Sequence, residues 1–201
     1  MREPELVLQE GLRAGQFGDN GKPHGEHAMG FVRFPDATPF VGHVVDLGSG
    51  AGLPGLILAD AYPETTWLLV ERRSSRADLL RRAVRRLEMT EQVRVSGEDA
   101  KIVGWSSERG QADWVTARSF GPPGLVAEMA APLLRSGGFL MVSEPHDTQI
   151  EVRWPTAALS GCGLVLVDEW STSAGRYVRF RRTDEDLPHL PRKGANKRPL
   201  F

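Results

Sequence analysis

A single cysteine, Cys162, stands in a chain of 201 residues. No intrachain disulfide can form, and this usage suits a reducing compartment. Neither sign of charge dominates, because 25 Lys and Arg face 26 Asp and Glu for a formal net charge of −1. A bulk polycation is excluded, and any contact with nucleic acid has to come from local basic patches. No apolar run is long enough to span a bilayer, and the segment Met1-Arg-Glu-Pro-Glu5 holds no apolar signal region. The expectation is a soluble, cytoplasmic protein. His24 and His27 have no companion cysteines, so no metal is expected. The oligomeric state is not legible.

What the chain does hold is a run of alternate glycines behind a short β-branched strand. In His43-Val-Val-Asp-Leu-Gly-Ser-Gly-Ala-Gly-Leu-Pro-Gly55, Asp46 ends the strand and Gly48, Gly50 and Gly52 follow at every second position. An apolar helix then opens at Leu53-Pro54. Strand, tight turn and helix N-terminus together form a nucleotide-type site. Each glycine removes a Cβ where a ligand approaches backbone or where φ is unusual. Asp46, Gly48, Ser49, Gly50 and Gly52 are therefore the first candidate cofactor residues. An acid at the strand end suits the ammonium of S-adenosylmethionine (SAM) better than the pyrophosphate of a dinucleotide. The Asp-x-Gly-x-Gly-x-Gly spacing is similar to motif I of class I SAM methyltransferases.

Hydrophobic patterning predicts buried strands over 44–47, 67–70, 93–96, 114–117 and 139–142, with helices over 54–61, 75–88, 125–134 and 155–159 between or after them. Two more strands, over 164–167 and 177–180, flank a turn at Ser173-Ala-Gly175 and read as a hairpin. Short helices over 3–12 and 26–34 and a glycine-rich loop over 15–25 precede the regular part. Three parts result: an N-terminal helix and loop extension over 1–40, an α/β domain over 41–186, and a tail over 187–201. The tail holds three prolines and four basic residues without an acid. Alternating strands and helices imply a mostly parallel seven-stranded sheet, with the C-terminal hairpin adding an antiparallel strand.

Glu71 ends the second strand at the distance from motif I where an acid meets ribose hydroxyls. A surface pair with Arg72 or Arg73 is its other reading. The loop after the third strand offers Asp99, with Glu98 as the fallback, to an adenine amine; a solvated acidic loop would look the same. The helix after Glu71 carries seven arginines from Arg72 to Arg86. They read equally as a solvated face or as phosphate contacts. The tail basics Arg192, Lys193, Lys197 and Arg198 are a second phosphate candidate. Trp105, Trp114, Trp154 and Trp170 are expected to pack.

Asp46-Leu-Gly-Ser-Gly-Ala-Gly-Leu-Pro-Gly55 resembles motif I of the bacterial 16S rRNA guanine-N7 methyltransferases (RsmG, also called GidB). Leu69-Val-Glu-Arg-Arg73, Thr116-Ala-Arg-Ser-Phe120 and the Lys197-Arg-Pro-Leu200 ending agree, and the likeness runs from about His27 onward. The resemblance implies a Rossmann-like class I fold, SAM as donor with S-adenosylhomocysteine as product, and ribosomal RNA or the small subunit as partner. It places Arg118 where the family has an arginine after its fourth strand, Arg176 where another opens its last strand, and His27 where it has a histidine; Arg118 and Arg176 are the catalytic candidates, and a plain turn arginine is the other reading of Arg176. Arg118 can hold guanine O6, a phosphate or the SAM carboxylate, or pair with an acid such as Glu144. The family's Lys-Gly after the fifth strand is replaced by Ser143-Glu144-Pro145, which predicts an acid beside the acceptor pocket. The family's Asn-Leu-Thr before the first strand is missing. These departures leave two alternatives: a SAM methyltransferase of small molecules, and a non-catalytic SAM- or RNA-binding module.

Overall fold

The computed structural model describes residues 24–195 and 197–201. The helix expected over 3–12 and most of the loop expected over 15–25 lie outside the described residues. Seven strands form one sheet in the order β3-β2-β1-β4-β5-β7-β6. They are β1 (Gly42–Leu47), β2 (Thr65–Val70), β3 (Val93–Ser96), β4 (Ala112–Ala117), β5 (Leu134–Glu144), β6 (Leu164–Ser171) and β7 (Arg176–Arg182). The first five run parallel, and β7 lies antiparallel between β5 and β6. The mostly parallel sheet with its C-terminal hairpin is as the patterning predicts.

Consecutive apolar residues in the central strands are explained by burial on both faces. Val45, Leu68, Val115, Leu140 and Val178 point into one layer, and Val44, Trp67, Trp114, Met141 and Tyr177 into the other. The helices covering these faces are α1 (His24–Gly30), α2 (Gly55–Ala61), α3 (Ser74–Arg86), α4 (Ala100–Val103), α5 (Pro123–Ala130), α6 (Ile150–Arg153) and α7 (Thr156–Ser160). α3 buries Ala77, Leu80, Ala83 and Val84, a stripe at helical spacing that turns its arginines outward.

Two element boundaries differ from the sequence reading. The helix expected over 125–134 ends at Ala130, because Pro132 brings no N–H to extend it, and Leu134 already opens β5. Gly25, expected in a loop, lies inside α1. The tail is a packed strap. Leu187, Leu190 and Ala195 are buried, and Arg109 donates to the Leu187 and Leu190 carbonyls. Trp105 Nε1 donates to Pro191 O at 3.0 Å.

The hairpin also holds α1 in place. The Trp170 indole donates to Gly30 O at 2.7 Å, and the Tyr177 hydroxyl donates to His27 O at 2.8 Å. Arg179, whose side chain is 1% exposed, bridges Asp168 and Asp36 and lies over the rings of Phe34 and Phe139. α1 is thereby seated against α2 through Ala28, Ala51, Leu53 and Ile57. Among the described residues no helix is long and apolar enough to cross a membrane.

Candidate active site

The chain passes from β1 outward through β2 to β3, then returns to place β4 on the other side of β1. The sheet therefore divides between β1 and β4, and a crevice opens at their carboxyl ends. The loop after β1 carries the glycines. Gly48 and Gly52 have φ of +70° and +109°. A Cβ at Gly48 would lie 2.8 Å from Phe120 Cδ2, and one at Gly52 would lie 2.4 Å from Leu56 Cδ1. Both positions need glycine on conformational and steric grounds. The Gly48 and Ser49 N–H groups donate to Val70 O, and the Ser49 hydroxyl donates to Asp46 O at 3.0 Å, so the loop is closed onto β2.

Glu71 completes this cradle. Its Oε2 accepts from Gly50 N at 3.1 Å and its Oε1 from Arg73 N at 2.8 Å. It is 6% exposed and reaches a cleft of about 300 Å³ with Gly48 and Asp99. Each carboxylate oxygen keeps acceptor capacity for a ligand hydroxyl. Asp99 caps α4 through Lys101 N at 2.9 Å. Phe120 and Leu125 supply an apolar wall, and Arg72, Arg73 and Arg76 line the cleft from α3 and the turn before it.

Behind the glycine loop lie two buried polar atoms that no protein group satisfies, Asp46 Oδ2 and Arg118 Nη1. Asp46 is fully buried, with Oδ1 accepting from the Thr116 hydroxyl at 2.7 Å. Burial pushes its carboxyl up to about 6, while the Thr116 hydrogen bond, the dipoles of the nearby Ser49 hydroxyl and Gly55 N–H, and the Arg118 charge oppose the rise. Burial likewise lowers the pKa of the half-buried Arg118 guanidinium, with Tyr177 and Asp46 pulling the other way. Orphaned buried polar atoms are rare and call for a partner. An unsatisfied acceptor near the end of β1 and an unsatisfied cation just after the neighbouring β4 match a ligand bearing an ammonium and a carboxylate. The amino-acid end of SAM has both, and the Glu71–Asp99 cleft suits its adenosine end.

Several side chains differ from their expected places. Glu98 is exposed and lines a separate cavity with Ile102, Val103 and Ser106, so of the two acids only Asp99 borders the cleft. Arg176 is engaged by the protein. Its Nη2 donates to both Glu169 oxygens at 2.8 and 2.7 Å, and its Nη1 donates to Thr148 O at 2.6 Å. This geometry ties Arg176, one of the two catalytic candidates, to β6 and to the loop after β5. Glu144 puts no free acid beside an acceptor pocket. Its carboxylate accepts from Arg153 Nε and Trp154 Nε1, each at 2.7 Å. It is therefore no partner for Arg118. Arg192 is withdrawn from the tail's phosphate candidates, because it forms a fork on the fully buried Glu128. Lys193, Lys197 and Arg198 remain exposed.

The sequence reading did not single out Ser119, Phe120 and Leu125 as part of the site. Ser119 adopts φ of +53°, a strained conformation for a residue with a side chain, at the cleft wall. The available signal was topological: a loop after the strand that follows the crossover faces the switch point.

Residues 31–169 match the family model described as GidB, rRNA small subunit methyltransferase G. The ribosomal RNA small subunit methyltransferase G of Salinispora arenicola is 36% identical over 96% of this chain and 84% of its own length. That of Syntrophomonas wolfei is 29% identical over 98% and 96%. The Chloroflexus aggregans protein of the same name is 39% identical over 60% of this chain, which spans 51% of that relative. Among solved structures, a 16S rRNA (adenine(1408)-N(1))-methyltransferase variant from Catenulisporales acidiphilia superposes with a TM-score of 0.57 at 17% identity, over 81% of this chain and 92% of that one. P. horikoshii TYW2, solved with MeSAdo, gives a TM-score of 0.62 at 11% identity, over 84% and 65%. Those two likenesses are of fold. With the motif-I loop, the strand order and the family match in agreement, this chain belongs to the GidB family of rRNA small subunit methyltransferases.

Proposed function

We propose that this protein transfers the methyl group of SAM to N7 of a guanine in 16S rRNA. The observation that carries the reading is the pair of unsatisfied buried atoms, Asp46 Oδ2 and Arg118 Nη1, set behind the glycine cradle that Glu71 closes. In this reading Glu71 accepts from the ribose hydroxyls and Asp99 from the adenine amine. Gly48, Ser49, Gly50 and Gly52 bring backbone close to the cofactor, and Asp46 takes its ammonium. Bound SAM supplies an electrophilic methyl on a sulfonium, which leaves as the neutral thioether of S-adenosylhomocysteine. Guanine N7 offers a lone pair without losing a proton, so the protein needs no strong base. Its work is alignment of N7 with the methyl and tolerance of the positive charge that the base acquires. Arg118, at the end of β4, is placed to hold guanine O6 or the cofactor carboxylate by charge-assisted bonds. Arg176 and the α1–Tyr177 contact fix the backbone around that position. The engagement of Glu144 by Arg153 and Trp154 removes the electrostatic objection to an RNA acceptor raised by the Ser143-Glu144 departure.

Incubation with methyl-labelled SAM and small ribosomal subunits or bare rRNA tests this. Label in a guanine, released as 7-methylguanine on hydrolysis, is the expected result. Tight SAM binding without transfer to any RNA would overturn the acceptor and leave the small-molecule or non-catalytic readings.

A further inference from the structure

Residues 72–86 carry seven arginines against one acid, Asp78, a local charge of +6 in a chain whose net charge is −1. Arg85 and Arg86 sit in the last turn of α3, where cations favourably meet the helix dipole. Arg72, Arg73 and Arg76 sit at its opposite end, where cations are disfavoured and where no acid occupies the first turn. These three also line the cleft. The proposed cofactor carries a sulfonium and an ammonium against one carboxylate, so three guanidiniums gain nothing from it electrostatically. Their neighbours neutralise them only in part. Arg72 lies 3.7 Å from Asp99 with a side chain 65% exposed, and Arg73 and Arg76 enter no ion pair among the described residues. Further along the helix, Arg82 and Arg85 enter no ion pair among the described residues either, while Arg81 is tied to Asp78 at 2.8 Å. Both are exposed on the other side of α3, because the stretch from Arg76 to Arg85 turns the helix by about two and a half turns.

We infer that Arg72, Arg73 and Arg76 form a phosphodiester site at the mouth of the cleft, and that it holds the backbone of the acceptor RNA. The site needs no base recognition. Clustered guanidiniums neutralise phosphates and release counterions, which positions a strand without reading it. Entry from this side would lay the strand across the adenosine end of the cofactor. The surface rests on the rRNA reading above and gives that reading a direction of approach.

The test is RNA binding by the full chain, followed by anisotropy of a labelled single-stranded RNA between about 50 and 200 mM salt. Wild type is compared with Arg73→Gln/Arg76→Gln and, as a control on the other side of α3, with Arg82→Gln/Arg85→Gln, and SAM affinity is measured by calorimetry for each. The Arg73/Arg76 pair is expected to make the slope of log K against log salt shallower by about 1.4, the loss of two single-strand phosphate contacts, and the Arg82/Arg85 pair to leave it unchanged. An unchanged slope in Arg73→Gln/Arg76→Gln, or an equal loss in both variants, with wild type still binding RNA, would overturn this surface and leave the methyltransferase reading intact. A fall in SAM affinity that matches the fall in RNA affinity would assign the arginines to the cofactor instead. A wild-type chain with no salt-dependent RNA binding would overturn the surface and the rRNA reading together.

Discussion

The Thr116 hydroxyl donates to Asp46 Oδ1 at 2.7 Å across the junction of β4 and β1, with both residues fully buried. This bond joins the two strands at which the sheet divides, and it leaves Asp46 Oδ2 as the one oxygen free for a ligand. Thr116 thus fixes which face of the carboxylate the site presents.

The pH dependence of stability follows from this burial. The Asp46 carboxyl is raised from 3.8 to about 6. Between these values the folded state binds more protons than the unfolded one. The contribution is therefore fully present below about 3.8 and is lost as pH rises through about 6, at a scale of about 3 kcal/mol. Asp46→Asn should flatten thermal stability between pH 4 and pH 6 relative to wild type, as melts across that range would show. SAM affinity of the wild type should rise through the same interval as Asp46 ionises, and that of Asp46→Asn should not.

Glu71 has two tasks that substitution can separate. Gln at this position keeps an acceptor for Gly50 N–H but loses the charge. Ala loses both and leaves the Gly50 and Arg73 N–H groups without their partner. SAM affinity measured by calorimetry should fall for both variants and further for Ala, with Ala also destabilised by about 1–3 kcal/mol in urea denaturation. Equal SAM affinity in wild type and Glu71→Ala would remove Glu71 from the site.

Arg192→Ala leaves Glu128 as a charge with no counter-ion and no exposure. Loss of about 3–5 kcal/mol is expected. Glu128→Leu combined with Arg192→Leu should recover most of it, because an apolar pair replaces a buried ionic one. Gly124→Ala gives a second route to the same strap, since its Cβ would lie 2.5 Å from Phe201 N. Denaturation midpoints of the single and double variants decide the matter.

Cys162 is buried, and burial pushes its thiol up to about 12. The thiolate is the reactive form, so the native chain should resist alkylation at pH 8 and react only once unfolded. Time courses of iodoacetamide labelling with and without denaturant measure this. Fast labelling of the native chain would show that the layer around Cys162 opens readily.

Much of the fold and the heart of the site were open to reading from local pattern. The period of apolar residues marked all seven strands, and the Asp46 to Gly55 run marked the loop. Glu71 and Asp99, candidates because an acid at or just after a strand end has a place in this topology, both border the cleft. Sequence spacing could not tell Asp99 from Glu98, since the two are adjacent and only the start of α4 decides which of them borders the cleft.

By itself, then, the sequence determined what depends on neighbours along the chain: strand and helix periodicity, the glycine turn, the acid at each strand end and the arginine face of α3. Tertiary structure decided which charges are free. Arg176 meets Glu169 and Thr148, Glu144 meets Arg153 and Trp154, and Arg192 meets Glu128 across 64 residues. In each case a buried or half-buried ion takes the partner that packing brings within hydrogen-bond distance, because an unpaired charge away from water is too costly to keep. Such partners come from distant segments, and no local pattern announces them. Asp46 and Arg118 each keep an unsatisfied atom where that rule is broken, and so are the foremost candidates for ligand contact.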